Sequence, residues 1–177
     1  MKNLNSYIQE KLILNKTVKS YKYHPENLDE LRSIIEKRLE QDKDANLNDI
    51  DISNITNMRG IFCGLDPYNI DISEWDVSKV TNMNFMFSGC VNLNCNLSNW
   101  NTSNVISMNH MFAGCRNFNC DLSNWDVSNV KNMFNMFRFC GNFNCDLSNW
   151  DVSNVNDMKG MFTGCNSLKN KPSWYHE

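Results

Sequence analysis

Residues 97–120 read LSNWNTSNVISMNHMFAGCRNFNC, and this pattern returns along the chain every 25 positions. Trp75, Trp100, Trp125 and Trp150 keep that spacing, with Ile50 in the same place one period earlier. Met58, Met83, Met108, Met133 and Met158 form a second series, and Phe62, Phe87, Phe112, Phe137 and Phe162 a third. Cysteine supplies two more: Cys90, Cys115, Cys140 and Cys165, then Cys95, Cys120 and Cys145. A fixed period of this length marks a repeat architecture. Five units follow, at 46–70, 71–95, 96–120, 121–145 and 146–170.

Within a unit the first half carries apolar residues at Leu97, Trp100 and Val105, with Thr102 where the other units have Val or Ile. That is the spacing logic of a leucine-rich repeat. The alternation Trp125-Asp126-Val127 predicts a short strand with one buried face. Met108, Met111, Phe112 and Cys115 share one face of a short helical or 3₁₀ segment. Asn and Ser fill the corners, where their side chains bond local backbone. A unit of this size cannot bury its apolar face alone, so neighbours must stack. The expected fold is an α/β solenoid of leucine-rich-repeat type, with five coils that each hold a short strand and a short helix. Strands roughly 4.8 Å apart would form a narrow parallel sheet, and Trp, Met and Phe ladders the core.

The ends need closing. Residues 1–45 read as an N-terminal helical cap. Leu28, Leu31, Ile34, Ile35 and Leu39 share a helical face, after a turn at His24–Pro25 and an N-cap at Asn27. Leu4, Tyr7, Ile8 and Leu12 suggest an earlier short helix, and Val18, Tyr21 and Tyr23 an extended edge piece. Residues 46–170 are the repeat body. Residues 171–177, with Pro172, Trp174 and Tyr175, read as a C-terminal cap that breaks the repeat and lids the last coil.

The motif LSNWDVSNV at 122–130 and 147–155 is followed by NMFNMFRFCGNFN at 132–144 and DMKGMFTGCNSLK at 157–169. These units resemble the BspA-like leucine-rich repeats of bacterial surface proteins and mycoplasma lipoprotein-associated proteins. The resemblance covers about three quarters of the chain. It implies a binding or adhesive role without enzyme chemistry, and it names no partner.

Composition narrows the function classes. The chain has 177 residues, 41% hydrophobic and 21% charged, so it can bury a core. A net charge of -3 lacks the basic excess of a nonspecific nucleic-acid binder. The start, MKNLNSYIQEKLILNK, is no signal peptide, because Gln9, Glu10 and Lys11 interrupt its apolar residues. No apolar stretch of about 18 residues exists to span a membrane. These readings point to the cytoplasm, or to the cell surface if an upstream signal was trimmed. The default for the eight cysteines is then reduced thiols packed as small hydrophobes. Zinc prefers tighter pairs with His, and His24, His110 and His176 fall outside the repeat spacing. No phosphate loop or hydrolase motif appears, so no metal, cofactor or catalytic residue is assigned.

Two constellations stand out as partner-binding candidates. Asp51, Asp76, Asn101, Asp126 and Asp151 lie between inward positions of the expected strand, with Asp49, Glu74, Asn99, Asn124 and Asn149 two residues earlier. Together they predict an acidic, Asn-rich stripe. It reads as a solvated face, as a dock for a basic partner, or as a calcium site. The second constellation is unit-specific. Phe85, His110 and Asn135 share one position, Asn84, Asn109, Phe134 and Lys159 a neighbouring one, and Arg138 and Phe139 replace small residues. Aromatics beside Arg anchor interfaces, or pack against a cap or loop. The candidate set is therefore Asp51, Glu74, Asp76, Asp126, Asp151, Phe85, His110, Phe134 and Arg138.

The expected function is a non-enzymatic protein-interaction module whose partner has a basic surface, with no direct nucleic-acid or membrane contact. Its sharper form is an inhibitor of a nucleic-acid-binding host protein, such as a phage-encoded inhibitor of a CRISPR-type defence. A surface adhesin or host-binding repeat protein is the alternative. A thiol enzyme built on Cys63, the cysteine outside both series, is the third.

Overall fold

The computed structural model describes residues 20–176. Its one helix among them, α1, spans Leu28–Gln41. The Asn27 side chain accepts the Glu30 N–H at 3.0 Å and opens it. Leu31, Ile35 and Leu39 are fully or almost fully buried on its inner face. The earlier helix expected from Leu4, Tyr7, Ile8 and Leu12, and Val18 of the edge piece, lie outside the described residues. Tyr23 forms an isolated parallel bridge to Ile50.

The expected α/β solenoid with a strand and a helix in every coil is wrong for this chain. Among the described residues no unit contains a strand or a helix. Each is a chain of short turns closed by N–H(i+3)→C=O(i) bonds. In the third unit these run from Trp100 to Leu97 (3.1 Å), Val105 to Thr102 (2.9 Å), Met111 to Met108 (3.1 Å) and Cys115 to Phe112 (2.9 Å). The physical reason lies at the corners. Asn or Asp recurs where its carbonyl or carboxylate captures the N–H two residues on, as Asn96 does for Ser98 (3.1 Å) and Asn101 for Ser103 (3.2 Å). Such local bonds compete with helix and ladder formation, and here they prevail. The parallel sheet is absent as well. Among the described residues the only ladder pairing between units is isolated bridges, at Asn46↔Asp71, Asn57↔Asn82, Asn82↔Ser107, Ser107↔Asn132 and Asn132↔Asp157. The last four fall before the Met positions, where a helix was expected, and none lies at Trp-x-Val.

Successive units nevertheless lie against each other as layers, with equivalent residues opposite. Met83, Phe85, Phe87 and Gly89 donate their N–H groups to Ser107, Asn109, Met111 and Ala113 at 2.8–2.9 Å. The Phe87, Phe112 and Phe137 rings stack at 5.5 Å with interplanar angles of 7° and 2°. Trp100 and Trp125 stack at 6.3 Å and 5°. Each indole also donates Nε1–H to a carbonyl of the preceding layer: Trp75 to Leu47, Trp100 to Ile72, Trp125 to Leu97 and Trp150 to Leu122, at 2.9–3.0 Å. Trp174 adds a further rung, stacked on Trp150 at 6.3 Å and bonded to Leu147 O at 2.9 Å. The Tyr175 ring meets Phe162 edge-on at 5.0 Å.

The first cysteine series belongs to this interior. Cys90, Cys115, Cys140 and Cys165 donate S–H to the carbonyls of Phe62, Phe87, Phe112 and Phe137 at 3.0–3.3 Å. All eight cysteines are free thiols. Burial pushes Cys90 up to about 12 and Cys165 to about 11, and raises Cys115 and Cys140 too. These groups stay protonated at neutral pH and act as small packed hydrophobes.

Replacing Trp125 by Phe removes one buried N–H···O bond and part of a stacked ring. It should cost about 2 kcal/mol in urea unfolding, against about 4 kcal/mol for Trp125→Ala. A Phe variant as stable as the parent would show that the indole bond contributes nothing.

Candidate interaction surface

The acidic candidates sit at a turn and not on a strand face. Asp51, Asp76, Asp126 and Asp151 accept the backbone N–H of Ser53, Ser78, Ser128 and Ser153 at 3.0–3.1 Å. Asn101 does the same in the middle layer. Each carboxyl is held below its usual range by these bonds. The Ser53 backbone N–H leads at Asp51, and the serine hydroxyl followed by its N–H leads at Asp76, Asp126 and Asp151. Repulsion from Asp51 at Asp76, and from Asp151 at Asp126, works the other way and is the smaller effect. The ladder thus tolerates its stacked charge because every rung is locally hydrogen-bonded. Two acidic groups near the N-terminal end are paired further: Asp51 with His24 at 3.3 Å, and Asp49 with Arg38 at 3.0 Å. Glu74 is exposed beside the ladder, and its N–H donates to Asn48 Oδ1 at 3.0 Å.

Sequence reasoning missed a second ladder of the same kind. Asp71, Asn96, Asp121 and Asp146 cap Ser73, Ser98, Ser123 and Ser148 at 2.9–3.1 Å. The signal was present as Asp/Asn-x-Ser, five residues before the first ladder. Two capping ladders of identical chemistry make a turn-building role sufficient for both.

The unit-specific residues come together differently. Phe85 and His110 stack at 4.7 Å and 12°, and Phe134 tilts against His110 at 5.2 Å. The Arg59 guanidinium lies 5.1 Å from the Phe85 ring centre, within cation–π range. Asn135 donates Nδ2–H to His110 Nε2 at 3.1 Å, and His110 Nδ1 bonds Asn109 Oδ1. Desolvation, then the Arg138 charge, lowers the His110 pKa, so the ring is neutral at pH 7. Arg138 turns its guanidinium to Phe139, 4.8 Å from the ring. Phe139 is 51% exposed and lies across the bare backbone of Gly164, where a Cβ would strike its ring. Arg59 and Phe139 were not among the chosen candidates. Phe139 was visible as an aromatic in a glycine position, whereas nothing in the spacing tied Arg59 to Phe85.

Backbone geometry separates this patch from the acidic ladders. Gly60, Phe85, His110, Asn135 and Gly160 occupy one column, and all have left-handed φ, from 54° to 69°. The outer layers use glycine there and the middle three do not. A second column, Gly64, Gly89, Gly114, Phe139 and Gly164, repeats the pattern at 61° to 81°. A bulky residue in this region is a true outlier that costs about 1–3 kcal/mol. Phe85, His110 and Phe139 are thus held where glycine would sit without strain.

Among the described residues, no cluster of His, Cys, Asp and Glu has the geometry to hold a metal ion. No helix among them is long and apolar enough to cross a membrane. The profile of one family, described as mycoplasma proteins of unknown function and designated DUF285, matches residues 27–137 and 96–176. No curated protein and no solved structure matches. The two segments cover most of the sequence, and the chain belongs to that family.

The acid limb of stability follows from the capped carboxyls. Their folded pKa lies below the unfolded value of about 3.9, so their contribution is present above that pH. It is lost as pH falls through the folded value. The urea midpoint should drop between pH 5 and pH 3, and Asp126→Asn, which keeps its turn as Asn101 does, should flatten that drop. An unchanged acid limb in a variant carrying Asn at 51, 76, 126 and 151 would remove these carboxyls from the account.

Proposed function

We propose that this family member is a non-catalytic protein-interaction module that binds its partner through the aromatic column around Phe85 and His110. One observation carries the reading: three layers keep Phe, His and Asn in a left-handed backbone position that the flanking layers fill with glycine. Phe85 and His110 are half-buried and Asn135 lies beneath them in the same column; strain held at such positions collects at functional sites. The patch also has the composition of an interface core, with Arg59, Phe85, His110, Phe134 and Arg138 in or beside one stacked array. The acidic ladders support docking less, because their carboxyls already serve turns. Kinship of the units with the BspA-like repeats is part of this proposal. It rests on the recurring LSNWDVSNV motif, and adhesion to another macromolecule is the role it favours. An inhibitor of a nucleic-acid-binding host protein, with a basic surface meeting the acidic ladders, is the second reading. The exposed Asp76, Asp126 and Asp151 favour it.

Two variants separate these readings in affinity capture from the native host, scored by quantitative mass spectrometry. Phe85→Gly with His110→Gly exchanges stacking worth about 0.5–1.5 kcal/mol for relief of about 1–3 kcal/mol of strain, so stability should stay near that of the parent. That variant should lose the captured partner. Asp→Asn at 76, 126 and 151 keeps the turns and should retain it. The opposite pattern would replace the aromatic column by the acidic one, and capture indifferent to both variants would end the proposal.

A further inference from the structure

The layers are polar along their stacking direction. At Met58, Gly60 and Phe62, and throughout the stretches 83–89, 108–114 and 133–139, alternate N–H groups bond the intervening carbonyls of the next layer. In the fourth layer Met133, Asn135, Phe137 and Phe139 donate onward to Asp157, Lys159, Met161 and Thr163 at 2.7–3.1 Å. In the last layer the corresponding donors are Met158, Gly160, Phe162 and Gly164. Among the described residues none of these four N–H groups has an acceptor. Main-chain donors left unpaired at an edge are a template for another chain.

The opposite edge lies under α1. Arg32 of α1 donates to two carbonyls of that row, Cys63 at 3.1 Å and Ile61 at 3.4 Å, and to the turn carbonyl of Gly60 at 2.7 Å, placing a cation on the negative pole of the aligned peptides. The apolar face of α1 is buried against the same end. α1 thus stands where a second copy would have to present its carbonyl edge to the open donors, which disfavours head-to-tail stacking. The Trp174 and Tyr175 rings cover the apolar interior beside the open row without supplying an acceptor to it.

Charge selects among other occupants. Residues 157–177 carry Lys159, Lys169 and Lys171 against Asp157 and Glu177, on a chain whose net charge is -3, and Lys159 and Lys169 are exposed. Lys171 stands 5.3 Å from the Tyr175 ring, which itself touches Phe162 in the open row. We propose that the last layer is a docking edge for an acidic polypeptide segment. Its main-chain carbonyls fill the four N–H groups, as the next layer's carbonyls do for the second, third and fourth layers, and its carboxylates face Lys159 and Lys169. This is edge addition, in which main-chain bonds give affinity and side-chain charge gives selection. It uses the end of the stack, whereas the Phe85–His110 array lies along its side.

Titration of the ¹⁵N-labelled full chain tests it, with three probes: a short peptide of alternating Glu and Thr, its Gln-Thr counterpart, and inorganic phosphate. The acidic peptide should give saturable shifts concentrated at the amides of 158, 160, 162 and 164. Lys159→Glu with Lys169→Glu should weaken that binding roughly tenfold, with the indole Nε1–H resonances reporting an intact stack. Equal binding of the Gln-Thr peptide would overturn the charge selection. Phosphate moving the same four amides as strongly would reduce the edge to an oxyanion site. Shifts confined to the Phe85–His110 column, or none that saturate, would overturn the docking edge altogether.

Discussion

Each layer must satisfy its main-chain polar groups without a helix or a sheet, and everything else follows from how it does so. Side-chain oxygens of Asn and Asp take one N–H at each corner, and N–H(i+3)→C=O(i) turns take others. The alternate groups left over have only the neighbouring layer to bond. A lone 25-residue unit would leave them in water or unpaired, which is costly once the apolar side chains beside them are buried. Stacking is thus obligatory for the backbone as well as for the Trp and Phe columns. The indole N–H and cysteine S–H bonds tighten the same relation, since each joins a buried side chain to a carbonyl of the layer before it.

This arrangement gives the molecule two unlike ends and a regular wall. Because the inter-layer bonds of the Met-to-Gly stretches run one way, one end collects carbonyls and the other N–H groups. Arg32 places its cation on the carbonyl end. On the wall, the acidic residues are spent on turns, whereas Phe85, His110 and Phe139 contribute nothing to the capping scheme and sit in a backbone conformation that disfavours them. Regularity makes such departures informative: the scaffold sets what each position requires, and a residue that violates the requirement needs another reason to be there.

The sequence was legible where a property depends on spacing alone. The 25-residue period, the identity of the buried columns and the Asn27 cap of α1 could all be read from it, since burial of Trp125, Phe112 and Met108 follows from their recurrence. Local conformation was not. Met108, Met111, Phe112 and Cys115 have helical spacing, but their repeat of three also fits successive turns. The left-handed residue at 110 rules out a helix, and no periodicity announces that residue. The Trp-Asp-Val alternation misled in the same way, because Asp126 bends back to Ser128 instead of pointing out from a strand.

By itself, then, the amino-acid order determined which side chains are buried and that units of one length must pack together, because apolar residues at fixed intervals have nowhere else to go. It also marked Phe85, His110, Phe134 and Arg138 as deviants. Only the tertiary structure decided that these deviants, with Arg59, form one array, that the carboxylates serve turns, and that the last layer ends in four donors with no acceptor among the described residues. Those outcomes depend on the direction of peptide bonds relative to the stack, and that direction is set by φ angles and contacts between residues about 25 positions apart.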